Sequence, residues 1–340
     1  MYYARIFLVA LLGGVLLAGP ALATRTTSAA FLKIGVGARA AGMGEAYVAQ
    51  AQDASGLYWN PAGLARLDRK QFIFMHNDWF ENINYEYLGY VHPLAGTALF
   101  GRTWDGALGG SLTYVDKGDL QRTTYSNPFG AGLGSFEAQD FAGAVSYAES
   151  YNDQLDLGGT LKLVYQEIDD VTATSVAVDF GAQYRGAYPG LTLGAALTNL
   201  GTKAKFERED EDLPLAFRFG AAYEVPQFPL TVATDGVWLY DDEVSWRVGV
   251  EYDLNQYLAL RAGYNSANDA DDGFGGGFGI TIDDLEINYA YVPYGDLGNT
   301  HRIDSVFRFG EIVPRPEPQA PPVTTRPQPP ITTRPQPPVT

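Results

Sequence analysis

Leu155-Asp-Leu-Gly-Gly-Thr-Leu-Lys-Leu-Val-Tyr-Gln166 decides the fold class. Leu155, Leu157, Leu161, Leu163 and Tyr165 share one parity, and Asp156, Thr160, Lys162 and Gln166 share the other. Period two is the geometry of a β-strand, whose successive side chains point to opposite faces. One face of this strand is apolar along its whole length and the other carries full charges. Such a strand separates a lipid surround from a wet or ion-paired interior, as the wall of a membrane barrel does.

The same alternation runs from about Lys70 to Gly310. Val176, Val178, Phe180 and Tyr184 oppose Asp179, Gln183 and Arg185. Phe217, Phe219 and Tyr223 oppose Arg218 and Glu224. Trp246, Val248, Val250 and Tyr252 oppose Arg247, Glu251 and Asp253. Leu258, Leu260 and Tyr264 oppose Arg261 and Asn265, and Leu285, Ile287, Tyr289 and Tyr291 oppose Glu286 and Asn288. The segments fall near 70–79, 84–93, 107–117, 138–149, 154–167, 174–186, 190–199, 214–225, 230–240, 243–254, 258–266, 273–282, 284–294 and 300–309. They predict an all-β fold, a transmembrane antiparallel β-barrel of about fourteen strands over 70–310. Segment 97–104 is left unassigned.

The connections supply an orientation. Tight turns at Ser150–Asp153, Gly186–Gly190, Pro226–Pro229, Asn255–Gln256 and Asp283–Asp284 alternate with longer stretches at 118–137, 200–213 and 267–272. Short turns on one side and long loops on the other are the habit of outer-membrane barrels, whose short turns are periplasmic. With an even strand count both termini are then periplasmic. The last strand alternates Ile303, Ser305, Phe307 and Phe309 with Arg302, Asp304 and Arg308. A soluble β-sandwich also alternates, but it explains neither so many strands in one run nor this loop rhythm.

Composition agrees. The chain has 340 residues, of which 22 are Tyr, 18 Phe and 39 Gly, suited to short strands, tight turns and an interfacial girdle. There is no cysteine, which excludes disulfides, thiolate metal sites and cysteine nucleophiles. A net charge of −17 argues against nucleic acid, which needs a basic footprint. Beyond the extreme N-terminus no apolar run reaches the roughly 18 residues of a spanning helix.

Residues 1–23 read as a secretory signal: Arg5, an apolar run from Ile6 to Ala18, and the A-x-A site Ala21-Leu22-Ala23. At the other end Pro321-Pro-Val-Thr-Thr-Arg-Pro-Gln recurs as Pro329-Pro-Ile-Thr-Thr-Arg-Pro-Gln. Residues 311–340 therefore read as a proline-rich, disordered periplasmic tail, either a semi-rigid spacer or a binding tail for a periplasmic or secretion-system protein.

Residues 24–69 do not alternate. Gly37-Ala-Arg-Ala-Ala-Gly-Met-Gly-Glu-Ala-Tyr-Val-Ala suggests a helix around Arg39–Gln50. Gly35, Gly37 and Ala40 fit G-x-G-x-x-A with Asp53 downstream, but antiparallel strands follow where a dinucleotide site needs a βαβ unit. This stretch, with Asp53-Ala-Ser-Gly-Leu-Tyr-Trp-Asn-Pro-Ala-Gly-Leu-Ala65, resembles the N-terminal region of the PorV/PorQ family, within the FadL-type transporters of hydrophobic compounds. Asn60-Pro61-Ala62 is its most specific piece. The resemblance implies that 24–69 folds into the lumen as a hatch or plug. Gly42 and Gly44 would permit close backbone packing. Asn60 would bond nearby backbone, and Pro61 would start a helical turn. Sealing and gating stay open as alternatives.

No catalytic constellation stands out, and no cofactor or metal site is expected. His76, His92 and His301 fall on separate strands as interface or lumen residues. The acidic clusters Glu207–Asp212, Asp241–Glu243 and Asp269–Asp272 read as solvated outer loops without EF-hand spacing. The lumen-facing charges Lys162, Asp179, Arg185, Arg218, Glu224, Arg247, Glu251, Arg261 and Glu286 avoid lipid by pairing, or hold the hatch. Two functions follow as expectations: passive passage of a small hydrophobic ligand across the outer membrane, or a type IX secretion-like component that receives exported cargo.

Overall fold

The computed structural model describes residues 26–80, 83–94, 96–99, 102–186, 188–206 and 209–313. The signal region 1–23 and the repeats of the tail lie outside them. Fourteen strands close into one antiparallel barrel. They are β1 (Lys70–Asp78), β2 (Asn84–Pro93), β3 (Ala107–Gln121), β4 (Ser135–Ser150), β5 (Leu155–Ile168), β6 (Val171–Arg185) and β7 (Leu191–Gly201), then β8 (Ala216–Glu224), β9 (Leu230–Leu239), β10 (Ser245–Asn255), β11 (Leu258–Asn265), β12 (Phe274–Ile282), β13 (Leu285–Pro293) and β14 (Asn299–Phe309). The seam pairs β1 with β14, Lys70 opposite Phe309 and Asp78 opposite His301. Closure leaves no sheet edge, the condition for crossing hydrocarbon with strands. Segment 97–104 forms a separate hairpin, Thr97–Leu99 against Arg102–Trp104.

Period two becomes inside and outside. On β5, Leu157, Leu161, Leu163 and Tyr165 are exposed while Asp156, Thr160, Lys162 and Gln166 are buried. The outer leucines, phenylalanines and isoleucines continue around the barrel as one apolar belt. In water that surface would cost roughly 25 cal/mol per Å², and acyl chains remove the cost. Phe72, Tyr90, Phe307 and Phe309 gather near the seam, with Phe72 4.7 Å from Tyr90 and 5.5 Å from Phe309. His76, His92 and His301 all take the outward parity, with His76 Nδ1 2.6 Å from Glu86 Oε1 and His301 Nδ1 2.8 Å from the Tyr289 hydroxyl.

The wall is uneven. β3 to β6 have 15, 16, 14 and 15 residues, whereas β8, β11, β12 and β13 have 9, 8, 9 and 9. β3, β4 and β6 therefore outrun the segments expected from alternation. Beyond the belt both faces meet water, so Glu137, Gln139 and Glu167 appear where alternation calls for apolar residues. The loop rhythm breaks twice. The connection 94–106 is long on the otherwise tight end, and 169–170 is a two-residue turn on the other.

The inner segment differs from the expected helix over Arg39–Gln50. Within that stretch only Ala38–Gly42 is helical. Gly44 and Glu45 then take left-handed φ of 61° and 63°, which turns the chain across the lumen. A Cβ on Gly44 would lie 2.5 Å from the Tyr264 backbone. Asn60 accepts from Ala62 N (3.2 Å), and Pro61 opens the 3₁₀ turn Pro61–Arg66.

Candidate functional site: the segment inside the barrel

The inner segment crosses the whole lumen. At the long-loop end Thr27 Oγ1 donates to Asp241 Oδ2 (2.5 Å), Lys33 pairs with the same carboxylate, and Ser28 N donates to Asp212 O (3.0 Å). Asp241 is thus buried against the segment, not a solvated loop residue. At the short-turn end Arg66 Nε meets Asp156 Oδ2 (2.8 Å) and Arg69 Nη1 meets Asp284 Oδ1 (2.5 Å). Val313 N donates to Asp68 O nearby (2.7 Å). β1 begins and β14 ends at the short-turn end, but residues 27 and 28 stand at the opposite end, because the chain traverses the lumen before β1 starts.

Directional bonds fix its middle. Arg39 grips Glu251 through two parallel bonds, Nε to Oε2 (2.8 Å) and Nη2 to Oε1 (2.6 Å), the strong planar geometry of a guanidinium on a carboxylate. The chain of charges continues from Glu251 to Arg261 (2.5 Å), Arg261 to Glu286 (3.5 Å) and Glu286 to Arg308 (2.6 Å). Arg247 Nη1 meets Glu45 Oε2 at 3.1 Å, and the Arg218 guanidinium lies 5.5 Å from the ring centres of both Tyr58 and Trp59.

Of the lumen charges singled out in the sequence, Arg218, Arg247 and Glu251 bond or stack on the inner segment, and the Cβ of Arg261 packs beside Gly42. Arg185 reaches it through Asp156, which also holds Arg66. Arg261 and Glu286 extend the network along the wall, and Lys162 pairs with Asp179 (2.8 Å) away from it. Glu224 ends β8 exposed, on the inward parity at the short-turn rim.

The wall residues that grip the backbone of the segment carried no sequence signal of that role. Asp235 Oδ2 accepts from Tyr47 N (2.7 Å) and Val48 N (2.8 Å). Asp304 accepts from Ala38 N, and Arg302 Nη1 donates to Gly35 O (2.9 Å). Gln183 Nε2 donates to the carbonyls of Val48 and Ala49 (3.3 Å each). Asn60 Nδ2 bridges Val48 O (2.8 Å) and Ala182 O (3.1 Å). The Tyr47 hydroxyl donates to Asp53 Oδ2 (2.8 Å). Inward glycines let the backbones touch: a Cβ at Gly263 would lie 2.0 Å from Gly44 N, and one at Gly249 2.4 Å from Met43 O. Gly42 packs on Gly277, whose Cα would lie 3.3 Å from an added Cβ. A run of inward glycines on successive strands is the signal that could have marked this contact.

With this geometry the class is an outer-membrane β-barrel protein carrying a folded segment in its lumen. Residues 21–228, more than half of the chain, match the family described as Type IX secretion system protein PorV, and the chain belongs to that family. Two UPF0164 proteins of Treponema pallidum (strain Nichols) are similar. One is 28% identical over 193 residues, 52% of this chain and 44% of that protein. The other is 26% identical over 237 residues, 60% of this chain and 68% of that protein. Among solved structures, the toluene transporter TodX of P. putida superposes with a TM-score of 0.54 at 13% identity, over 82% of this chain and 99% of that one. A TodX deltaS2 mutant, described as a monoaromatic hydrocarbon channel, gives 0.53 at 15% identity over 81% and 99%. At such identity the likeness is one of fold.

Proposed function

We propose that this barrel passes small hydrophobic compounds passively across the outer membrane, with the inner segment as its hatch. The observation that supports this most is the segment itself. It fills the lumen from end to end, yet it is held by hydrogen bonds, ion pairs and glycine contacts that can break and reform. In this reading the short turns and the C-terminal end of β14 face the periplasm, and the tall β3–β6 wall stands outside. A deletion strain given a panel of hydrophobic compounds, toluene included, tests it: uptake should fall and return with the intact gene. Unchanged uptake across the panel would sink the idea.

Membership of a family described by type IX secretion favours a second reading, in which the barrel receives exported cargo. The tail at 311–340 is then the handle for a periplasmic or secretion-system partner. Affinity purification with and without residues 311–340, alongside the amount of protein released by the deletion strain, separates the two. Loss of release with normal uptake selects this reading.

A further inference from the structure

The apolar belt is interrupted on β1 and β2. Their outward residues stand in direct register: Phe72 opposite Tyr90, Phe74 opposite Leu88, His76 opposite Glu86 and Asp78 opposite Asn84. His76 Nδ1 lies 2.6 Å from Glu86 Oε1, and the two side chains are 45% and 34% exposed. Counting from the short-turn end gives their height. His76 stands as far from Lys70 on β1 as Leu161 stands from Leu155 on β5. Glu86 stands as far from Pro93 on β2 as Phe217 stands from Glu224 on β8. Leu161 and Phe217 are exposed members of the belt, so the His76–Glu86 pair faces outward at a height where the wall elsewhere meets acyl chains.

The pair does not satisfy itself. His76 Nε2 has no partner among the described residues, and Glu86 Oε2 accepts nothing. Hydrocarbon supplies neither a donor nor an acceptor, so ionisable side chains at this depth turn to protein. Phe74, Leu88, Tyr114 and Ile303 surround the pair on the outer face, and all four are exposed. A polar centre inside an apolar ring is the build of an interface core from which solvent is excluded.

This surface is complementary to itself. A half-turn about an axis parallel to the barrel axis, passing between β1 and β2, keeps every residue at its height and exchanges the two strands. A second copy placed by that rotation sets its Glu86 against His76 and its His76 against Glu86, an isologous contact of acid with base on both sides of the axis. The short turns of both copies stay on the same side of the membrane, as a common direction of insertion demands. Barrel strands tilt by roughly 35–45°, so the two strips cross, and contact centres on the His76–Glu86 row. A face carrying one sign of charge would repel its own copy at this position.

We propose that the outward face of β1 and β2 binds a second copy of this chain, in a two-fold dimer centred on His76 and Glu86. The dimer does not depend on what the lumen passes or receives.

The test reconstitutes the full-length protein in phospholipid vesicles and reads energy transfer between barrels as lipid dilutes them. Because the chain has no cysteine, Ala131→Cys on the exposed outer loop carries one dye per barrel, donor on half of the molecules and acceptor on the rest. Transfer should be present and fall on dilution, as a reversible dimer requires. His76→Leu with Glu86→Leu suits lipid and keeps the barrel intact by heat-modifiable gel shift. It should weaken the dimer roughly tenfold or more, the worth of the hydrogen bonds removed. His76→Glu alone and Glu86→Lys alone each set like charges across the axis and should lower transfer. An equimolar mixture of these two variants restores acid against base and should recover transfer to within roughly threefold of the wild type. No transfer in the wild type, or transfer unchanged by the double leucine variant, overturns the dimer. A mixture of folded variants no better than either alone overturns the pairing across the axis. If either charge variant fails to insert, which the gel shift reads, the double leucine variant decides. Cross-linking in native outer membranes that joins this face only to a different protein overturns the second copy as occupant.

Discussion

Two arcs of the lumen hold the inner segment by different physics. Along β7–β14 the contact is directional: Arg39 on Glu251, Asp235 on two backbone N–H groups, Asp304 on Ala38 N, and glycines at 249 and 263 against the turning backbone at 43 and 44. Along β1–β4 it is mainly apolar: Leu57, Leu64 and Val36 pack with Ile73, Met75, Tyr85, Tyr87 and Val91 in one cluster, and Gln71 Oε1 accepts from Ala54 N (3.0 Å). Directional bonds and close backbone contact admit one placement of the segment. Apolar contact is stabilising in many placements. The first arc therefore fixes the register of the segment, and the second supplies burial.

That contrast can be broken at several points. The largest effect is expected from Gly263→Val, whose side chain has no room beside Gly44 N. It should cost more than about 3 kcal/mol and leave the segment open to protease in an otherwise intact barrel, read by limited proteolysis beside a heat-modifiable gel shift. Gly143→Ala, an outward site whose added Cβ meets only ordinary contacts at 3.7 Å, is the control. Arg39→Ala should cost about 3 kcal/mol by stranding part of the buried carboxylate charge, and Arg39→Met with Glu251→Met should recover part of it in denaturant unfolding. A double variant no more stable than the single one would deny that pairing is what matters.

On the apolar arc Leu57→Ala should cost about 2 kcal/mol without raising protease sensitivity at 40–50. If it exposes that stretch as Arg39→Ala does, the two arcs are not distinct. Asp235→Asn keeps an accepting oxygen and loses only the charge, so about 1 kcal/mol is expected, with hydrogen exchange at Tyr47 and Val48 as the readout.

The smallest effect lies outside the lumen, at the tip of the tall wall. Arg122 Nη1 pairs with Asp169 Oδ2 at 2.7 Å, and its hydrogen bond holds the Asp169 carboxyl below the usual range. A depressed carboxyl contributes above its unfolded pKa and loses the contribution as pH falls through the folded value. The turn at 169–170 should therefore loosen only in strong acid, with the inner segment unaffected. Hydrogen exchange across 165–172 that rises already near neutral pH would contradict this.

Much of this was readable in advance. Inward parity alone placed Lys162, Asp179, Arg185, Arg218, Arg247, Glu251, Arg261 and Glu286 on the lumen face, because side-chain alternation is local. It put Asp304 on one face of the last strand as well, but gave no hint that this carboxylate seizes the backbone N–H of a residue 266 positions away, and Asp235, which grips Tyr47 N 188 positions away, was not singled out at all. A backbone N–H has no residue type and so leaves no mark in a sequence. The upper ends of β3, β4 and β6 were invisible for a related reason, since alternation fades where both faces are wet.

The sequence by itself determined that the chain is a barrel of alternating strands with a non-alternating segment before them. Covalent geometry turns every second residue to the same face, and the solvent on each face selects the residue type. The tertiary structure decided which carboxylate meets which arginine, where glycine must stand so that two backbones can touch, and that the segment runs the full height of the lumen. Those outcomes depend on how fourteen strands stagger when the barrel closes, and no stretch of a dozen residues carries that information.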